Sequence, residues 1–181
     1  EQGAKAIDWW KRDYIKEKNS TATTKRGFGL ACIMQGSAIP YIDMAGAYCK
    51  MNEDGTFNLL LGATDIGTGS DTILAQIFAE SLSIDTEDVI VLSSDTDITP
   101  FDKGAYASST TYLTGQACIT LASKVKDQIL DFAAASLNLP KEELKVKNKS
   151  VVHPDSGKTI SFTEIGTKSL YSENQTQIGA V

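Results

Sequence analysis

The 181-residue sequence predicts an α+β fold, in which a hairpin and two βα units share a mixed sheet with helices packed on it. Three observations support this prediction. The pair Asp54-Gly55 joins two short apolar runs, which is the strongest hairpin signal in the chain. Apolar runs at 56–61 and 89–92 are each followed by a polar loop and a helical pattern. A helix between two such strands is typical of a parallel crossover.

Composition excludes several classes of function. Hydrophobic residues make up 41% and charged residues 22% of the chain, as in an ordinary globular protein. The net charge of −6 gives no basic surface for general binding to nucleic acid or anionic membranes. The cysteines Cys32, Cys49 and Cys118 are odd in number and widely spaced, which indicates neither a disulfide framework nor a zinc site and favours a cytoplasmic setting. We find no apolar run long enough to span a membrane.

The ends of the sequence indicate an internal piece of a longer polypeptide, since it starts without Met and ends as an apolar run begins at 178–181. Residues 1–24 predict a helix and linker, with apolar side chains at helical spacing. Residues 25–181 are expected to form one domain, with 25–137 and 138–181 as candidate lobes. Its first element is predicted to be a buried strand over residues 28–36.

The centre of the chain predicts the elements that carry the two loops. Residues 43–52 and 56–61 are expected to be antiparallel strands. The next helix has Ser70 or Asp71 as its N-cap. The residues expected on its buried face are Ile73, Leu74, Ile77, Phe78 and Leu82. Residues 89–92 predict a buried strand parallel to 56–61, and a long helix follows the second polar loop.

The C-terminal part predicts smaller elements. Residues 144–152 alternate as strand with a candidate turn at 148–150, and residues 159–162 predict another strand. A short helix is expected over 163–170 with Thr163 as its cap. His153 precedes a proline in a turn, and we interpret it as an exposed loop residue rather than a base or ligand.

The two polar loops are the candidate functional feature. Residues 62–72 form a Gly-rich turn before a helix, and backbone N–H groups in this arrangement favour an anion. Many such turns bind nothing, which is the competing interpretation. The second loop also leads into a helix, through four consecutive hydroxyl residues at 108–111. Because parallel strands end on the same side of a sheet, both loops can converge on one ligand.

Familiar motifs do not fit these loops. Thr68 stands where a P-loop requires Lys, and Thr72 stands where a dinucleotide fingerprint requires its third Gly. One histidine and scattered cysteines compose no catalytic triad. Carboxylates crowd the loops and are interpreted as caps of turns, with a cation site as the alternative. They are Asp65, Asp95, Asp97 and Asp102.

Two segments together carry a family resemblance. The segments are ATDIGTGSDTILAQIFAESL and, further along the chain, DTDITPFDKGAYASSTTYLTGQA. Together they resemble the molybdenum-binding subunit of the xanthine dehydrogenase and aldehyde oxidase family of molybdenum hydroxylases. KRGFGLA upstream also fits, so the resemblance extends from about residue 25 onward. It implies a molybdenum cofactor-binding type of domain, with molybdopterin as the cofactor and the cytosine dinucleotide as one candidate form.

The resemblance also implies the cofactor-binding residues. The first loop is Ile66, Gly67, Thr68, Gly69, Ser70 and Asp71. The second loop is Ala105, Tyr106, Ala107, Ser108, Ser109, Thr110 and Thr111, with Gln116 nearby. Thr68 departs from the Gln of several members, which puts the contact of that amide in doubt.

The implied reaction is hydroxylation of an N-heterocycle or aldehyde, with electrons passed to iron–sulfur and FAD partners in an oligomeric enzyme. The family's catalytic glutamate lies downstream of these loops, so neither Glu164 nor Glu173 is assigned that role. We therefore expect the chain alone to fold but to be inactive. The alternatives are a non-catalytic anion- or nucleotide-binding module and a structural lobe for subunit assembly.

Overall fold

The computed structural model describes residues 1–171 and 175–181. These residues form two compact units, Glu1–Gln35 and Gly36–Val181. Within the described ranges, no helix is long and apolar enough to cross a membrane.

The N-terminal unit differs from its prediction in two ways. Helices α1 (Gln2–Ala6) and α2 (Arg12–Lys18) replace a single helix, because Asp8 has a left-handed backbone with φ 49° between them. The predicted strand at 28–36 is wrong. These residues form no strand, and Ile33 and Met34 are more than nine-tenths exposed. An apolar run becomes a strand only where another strand pairs with it, and the described strands pair among themselves.

The larger unit contains a four-stranded sheet in the order β3-β2-β1-β7. Its strands are β1 (Ala47–Met51), β2 (Phe57–Leu61), β3 (Val89–Ser93) and β7 (Gly179–Ala180). The hairpin prediction is confirmed, because β1 pairs antiparallel with β2. β2 pairs in parallel with β3, from Phe57 opposite Val89 to Leu61 opposite Ser93, which confirms the crossover. β3 is an edge strand buried on one face only, and Ile90 is half exposed.

Two helices, α3 (Ser70–Leu82) and α4 (Thr110–Leu137), contribute to the same buried core as this sheet. The predicted face of α3 is largely confirmed, with Leu74, Phe78 and Leu82 fully buried, but Ile73 is 39% exposed. Ala75 and Ala79 are buried in its place, so the buried face of α3 turns away from Ile73.

A smaller sheet has the order β4-β5-β6, from β4 (Lys145–Lys147), β5 (Ser150–Val152) and β6 (Thr159–Ser161), and leads into α5 (Phe162–Tyr171). The cap of α5 is Ser161 and not Thr163. The Ser161 hydroxyl accepts the Glu164 N–H at 3.2 Å, and the Glu164 carboxylate accepts the Ser161 N–H at 2.9 Å, as in a capping box. Glu164 therefore has a structural role, while Glu173 lies outside the described residues.

His153 is buried, and its interpretation as an exposed loop residue is wrong. Its Nε2 lies 2.9 Å from a Glu143 carboxylate oxygen, and its Nδ1 accepts the Ser156 N–H at 3.0 Å. The imidazole thus joins the turn to the segment before β4. Because Glu143 lies ten positions upstream, the local turn pattern gives no sign of this contact.

The reactivity of the cysteines tests the burial of β1 and α4, which contain Cys49 and Cys118. Cys32 is exposed, while Cys49 and Cys118 are buried, and desolvation raises the pKa of both buried thiols to about 12. Since the thiolate is the reactive form, a thiol reagent at pH 8 should label one cysteine in the native protein and three after unfolding. The Cys32→Ser variant should lose the native labelling. Native labelling that persists in this variant would contradict the burial.

Candidate functional site

The backbone at the end of β2 closely approaches the segment that follows β3, and the two loops begin beyond this contact. A Cβ atom added to Gly62 would collide with the carbonyl oxygen of Pro100 and lie 2.8 Å from Cβ of Asp102. The Ser94 hydroxyl donates to the carbonyl of Ala63 at 3.2 Å, which joins the chain just after β2 to the chain just after β3. A glycine in a strand sequence often marks a place where another backbone approaches closely. Gly62 is therefore the sequence signal for this contact.

Eight of the predicted residues line one cavity of about 340 Å³. They are Ile66, Thr68, Ala105, Tyr106, Ala107, Ser108, Thr110 and Thr111. The structure therefore brings the first loop (Ile66–Asp71) and the second loop (Ala105–Thr111) together. Gln116 instead lines a groove with β1 residues such as Ala47 and Tyr48.

The first loop folds around the carboxylate of Asp65. One oxygen of Asp65 accepts the N–H groups of Gly67, Thr68 and Gly69 at 2.8, 2.9 and 3.2 Å. These backbone bonds, led by the one from Gly67, lower the pKa of Asp65. The carboxylate therefore stays ionised until the pH falls below the ordinary aspartate range, and only then is this contribution to loop order lost.

The start of α3 differs from its prediction. Gly69, with φ 73°, is the N-cap, so neither Ser70 nor Asp71 caps the helix. One Asp71 carboxylate oxygen accepts the Ser93 hydroxyl at 3.1 Å. The Ser70 hydroxyl and the other Asp71 oxygen are buried without a partner among the described residues.

The second loop presents backbone groups at the start of α4. Ala107 and Ser108 have positive φ angles of 50° and 51°, which reverse the chain just before the helix. The Ser109 carbonyl accepts the Leu113 N–H at 2.8 Å, so the amides of Thr110, Thr111 and Tyr112 precede the first bond along the helix. Such amides and the positive end of the helix attract negative charge.

Tyr106 connects the second loop to a residue that the sequence analysis did not identify. Its hydroxyl is hydrogen bonded to Asp43, which raises the pKa of Tyr106. Asp43 also accepts the Ile39 N–H at 2.6 Å. No local pattern around Asp43 indicates a site, because the contact with Tyr106 forms only in the folded chain.

The acidic residues cap turns as expected. Beyond Asp65, one Asp95 oxygen accepts the Asp97 N–H at 2.9 Å, and one Asp102 oxygen accepts the Gly104 N–H at 2.8 Å. Across residues 1–171 and 175–181, no group of three or more His, Cys, Asp or Glu is placed to hold a metal ion. The alternative of a cation site thus has no support from the described side chains.

Comparisons with known proteins identify relatives of this chain. The probable hypoxanthine oxidase XdhD of Escherichia coli (strain K12) is 39% identical over 167 residues, which cover 92% of this chain and 17% of the relative. The putative xanthine dehydrogenase molybdenum-binding subunit XdhA of the same strain is 40% identical over 141 residues, which cover 76% of this chain and 19% of the relative. The chain thus spans less than a fifth of the length of these curated relatives.

Solved structures show the same fold. Reconstituted CO dehydrogenase from Oligotropha carboxidovorans has a TM-score of 0.69 at 24% identity, covering 76% of this chain and 18% of that one. Quinoline 2-oxidoreductase from Pseudomonas putida 86 has a TM-score of 0.64 at 22% identity, covering 78% of this chain and 19% of that one.

A sequence model of a protein family, described as the molybdopterin cofactor-binding domain, matches residues 2–180. The match includes both loops and the strands that position them. This chain therefore belongs to the molybdopterin cofactor-binding domain family.

Proposed function

We propose that this chain holds molybdopterin between its two loops, as part of the molybdenum-binding subunit of a xanthine dehydrogenase-like hydroxylase. The cavity lined by both loops is the observation that supports this proposal. The proposed contact residues are the first loop and the second loop. Gln116 lines the groove beside β1 rather than this cavity, so its proposed contact with the cofactor comes from the family resemblance alone.

The cavity suits the cofactor in size and chemistry. Its volume of about 340 Å³ falls within the range of about 300–1,000 Å³ typical of small-molecule sites. The small side chains of Ala105, Ala107 and Ser108 let a ligand approach the backbone closely, and the amides at the start of α4 suit phosphate oxygens. The residues present thus fit a planar group that carries a phosphate or pyrophosphate.

The residues of this chain would bind and orient the cofactor. Molybdopterin, when bound, carries the molybdenum centre that supplies the redox chemistry. Thr110 and Thr111 can donate hydroxyl hydrogen bonds to an anion, while Ile66 contributes an apolar side chain to the opposite wall. Each of these contributions depends on β2 and β3 ending side by side.

The activity of the complete enzyme is a further part of the proposal. We propose hydroxylation of an N-heterocycle or aldehyde in the cytoplasm, with iron–sulfur and FAD partners in an oligomer, and with the cytosine dinucleotide as a candidate cofactor form. We propose residues 25–181 as the cofactor-binding domain, after an N-terminal helix and linker at 1–24. The names of the relatives, which include a hypoxanthine oxidase and a xanthine dehydrogenase subunit, support this class of substrate.

A charge change at Thr111 tests the proposal. Thr111 is exposed at the first turn of α4, where a negative side chain interacts favourably with the helix. Thr111→Glu should therefore preserve the thermal unfolding midpoint of the chain. In the enzyme that contains this chain, it should reduce bound molybdenum at least tenfold, because like charges repel at a binding site.

Thr111→Gln is the matched control, since it adds similar volume without charge. It should retain at least half of the molybdenum bound by the wild-type enzyme. Equal molybdenum content in the Glu and wild-type enzymes would overturn the proposed site.

A further inference from the structure

The first loop already holds an anion that belongs to the chain itself. Three consecutive N–H groups, those of Gly67, Thr68 and Gly69, point at one Asp65 oxygen within 3.2 Å. The Thr68 hydroxyl lies 3.5 Å from the same oxygen. Successive amides that converge in this way form the kind of concavity that otherwise binds phosphate.

The start of α3 repels an anion, whereas the start of α4 attracts one. Just before α3, the Asp65 carboxylate accepts backbone N–H groups, including that of Gly69. Asp71 lies in the first turn of α3. α4 has no acidic residue in its first turn. A phosphate near the start of α3 would meet two carboxylates. One at the start of α4 would meet the amides of residues 110–112, which precede the first bond along the helix.

We infer that Asp65 is a positioning residue that fills the anion site of the first loop from within, so that this loop contacts only uncharged parts of the cofactor. The inference rests on the proposed function. Asp65 gives the first loop a fixed shape before any ligand arrives. The pattern Asp65-x-Gly67-x-Gly69 therefore forms a closed turn rather than an open phosphate cradle.

Amide chemical shifts test this directly during titration of the chain with inorganic phosphate. In the wild-type protein, the amides of residues 67–69 should not respond. Asp65→Ala should lower their hydrogen-exchange protection at least tenfold and make them respond to phosphate. Asp65→Asn should restore the protection, because its side-chain oxygen can still accept these bonds.

Asp95→Ala is the control, since it removes a similar cap from the Asp97 N–H and should leave residues 67–69 unchanged. Circular dichroism of each variant establishes that the chain is folded. A wild-type response at residues 67–69, or unchanged protection in Asp65→Ala, would overturn the inference. Neither measurement requires the cofactor, so failure here is distinct from failure of the Thr111 test.

Discussion

Phe57→Ala is expected to lower the free energy of unfolding by about 3–5 kcal/mol, the range for removing a large buried aromatic ring. Phe57 is fully buried in β2. Its ring lies 5.7 Å from that of Phe78 in α3 and 6.1 Å from that of Phe162 in α5, with edge-to-face geometry at both contacts. The substitution would leave a cavity where the sheet and both helices meet. Urea denaturation followed by circular dichroism measures the loss.

Phe101→Ala is the matched control, because Phe101 is 67% exposed in the segment between β3 and α4. Its effect should stay within about 0.5 kcal/mol, as for most surface substitutions. A loss below 1 kcal/mol for Phe57→Ala would contradict the packing described for the three rings.

Gly62→Ala should separate the two loops. The new methyl group would overlap the Pro100 carbonyl oxygen and crowd Asp102, so the ends of β2 and the segment after β3 must move apart. Overpacking of this kind costs about 1–3 kcal/mol of stability. The displaced loops should also lower bound molybdenum in the complete enzyme at least tenfold, because both walls of the cavity depend on this contact.

Gly29→Ala provides the comparison, since a methyl group added there meets no atom within 4 Å. This variant should match the wild-type protein in unfolding midpoint and molybdenum content. If Gly62→Ala behaves in the same way, the close approach does not set the position of the loops.

Local signals predict the part of the fold that positions the site. The Asp54-Gly55 turn fixes the β1–β2 hairpin, and the apolar runs on either side of α3 correctly predict two parallel strands. The loops converge because these strands end side by side. Capping by Asp65, Asp95 and Asp102 is likewise predictable, since an aspartate accepts N–H bonds from residues two or more positions ahead.

The features that local signals do not predict depend on contacts between residues far apart in the chain. His153 contacts Glu143, and the Tyr106 hydroxyl is hydrogen bonded to Asp43, so each contact joins residues that are far apart in the sequence. The run at 28–36 is apolar enough for a strand, but composition alone cannot supply a partner strand. Gln116 is five residues beyond Thr111, which turns it about 140° around the helix and away from the cavity.

The proposed binding site for molybdopterin is the cavity between the first loop and the second loop. An experimental structure of the cofactor-loaded enzyme that contains this chain tests it most directly. We predict density for the cofactor in contact with residues 66–68 on one side and 105–111 on the other, with its phosphate groups nearest the start of α4. Cofactor density elsewhere, with only solvent between these loops, would contradict this binding site.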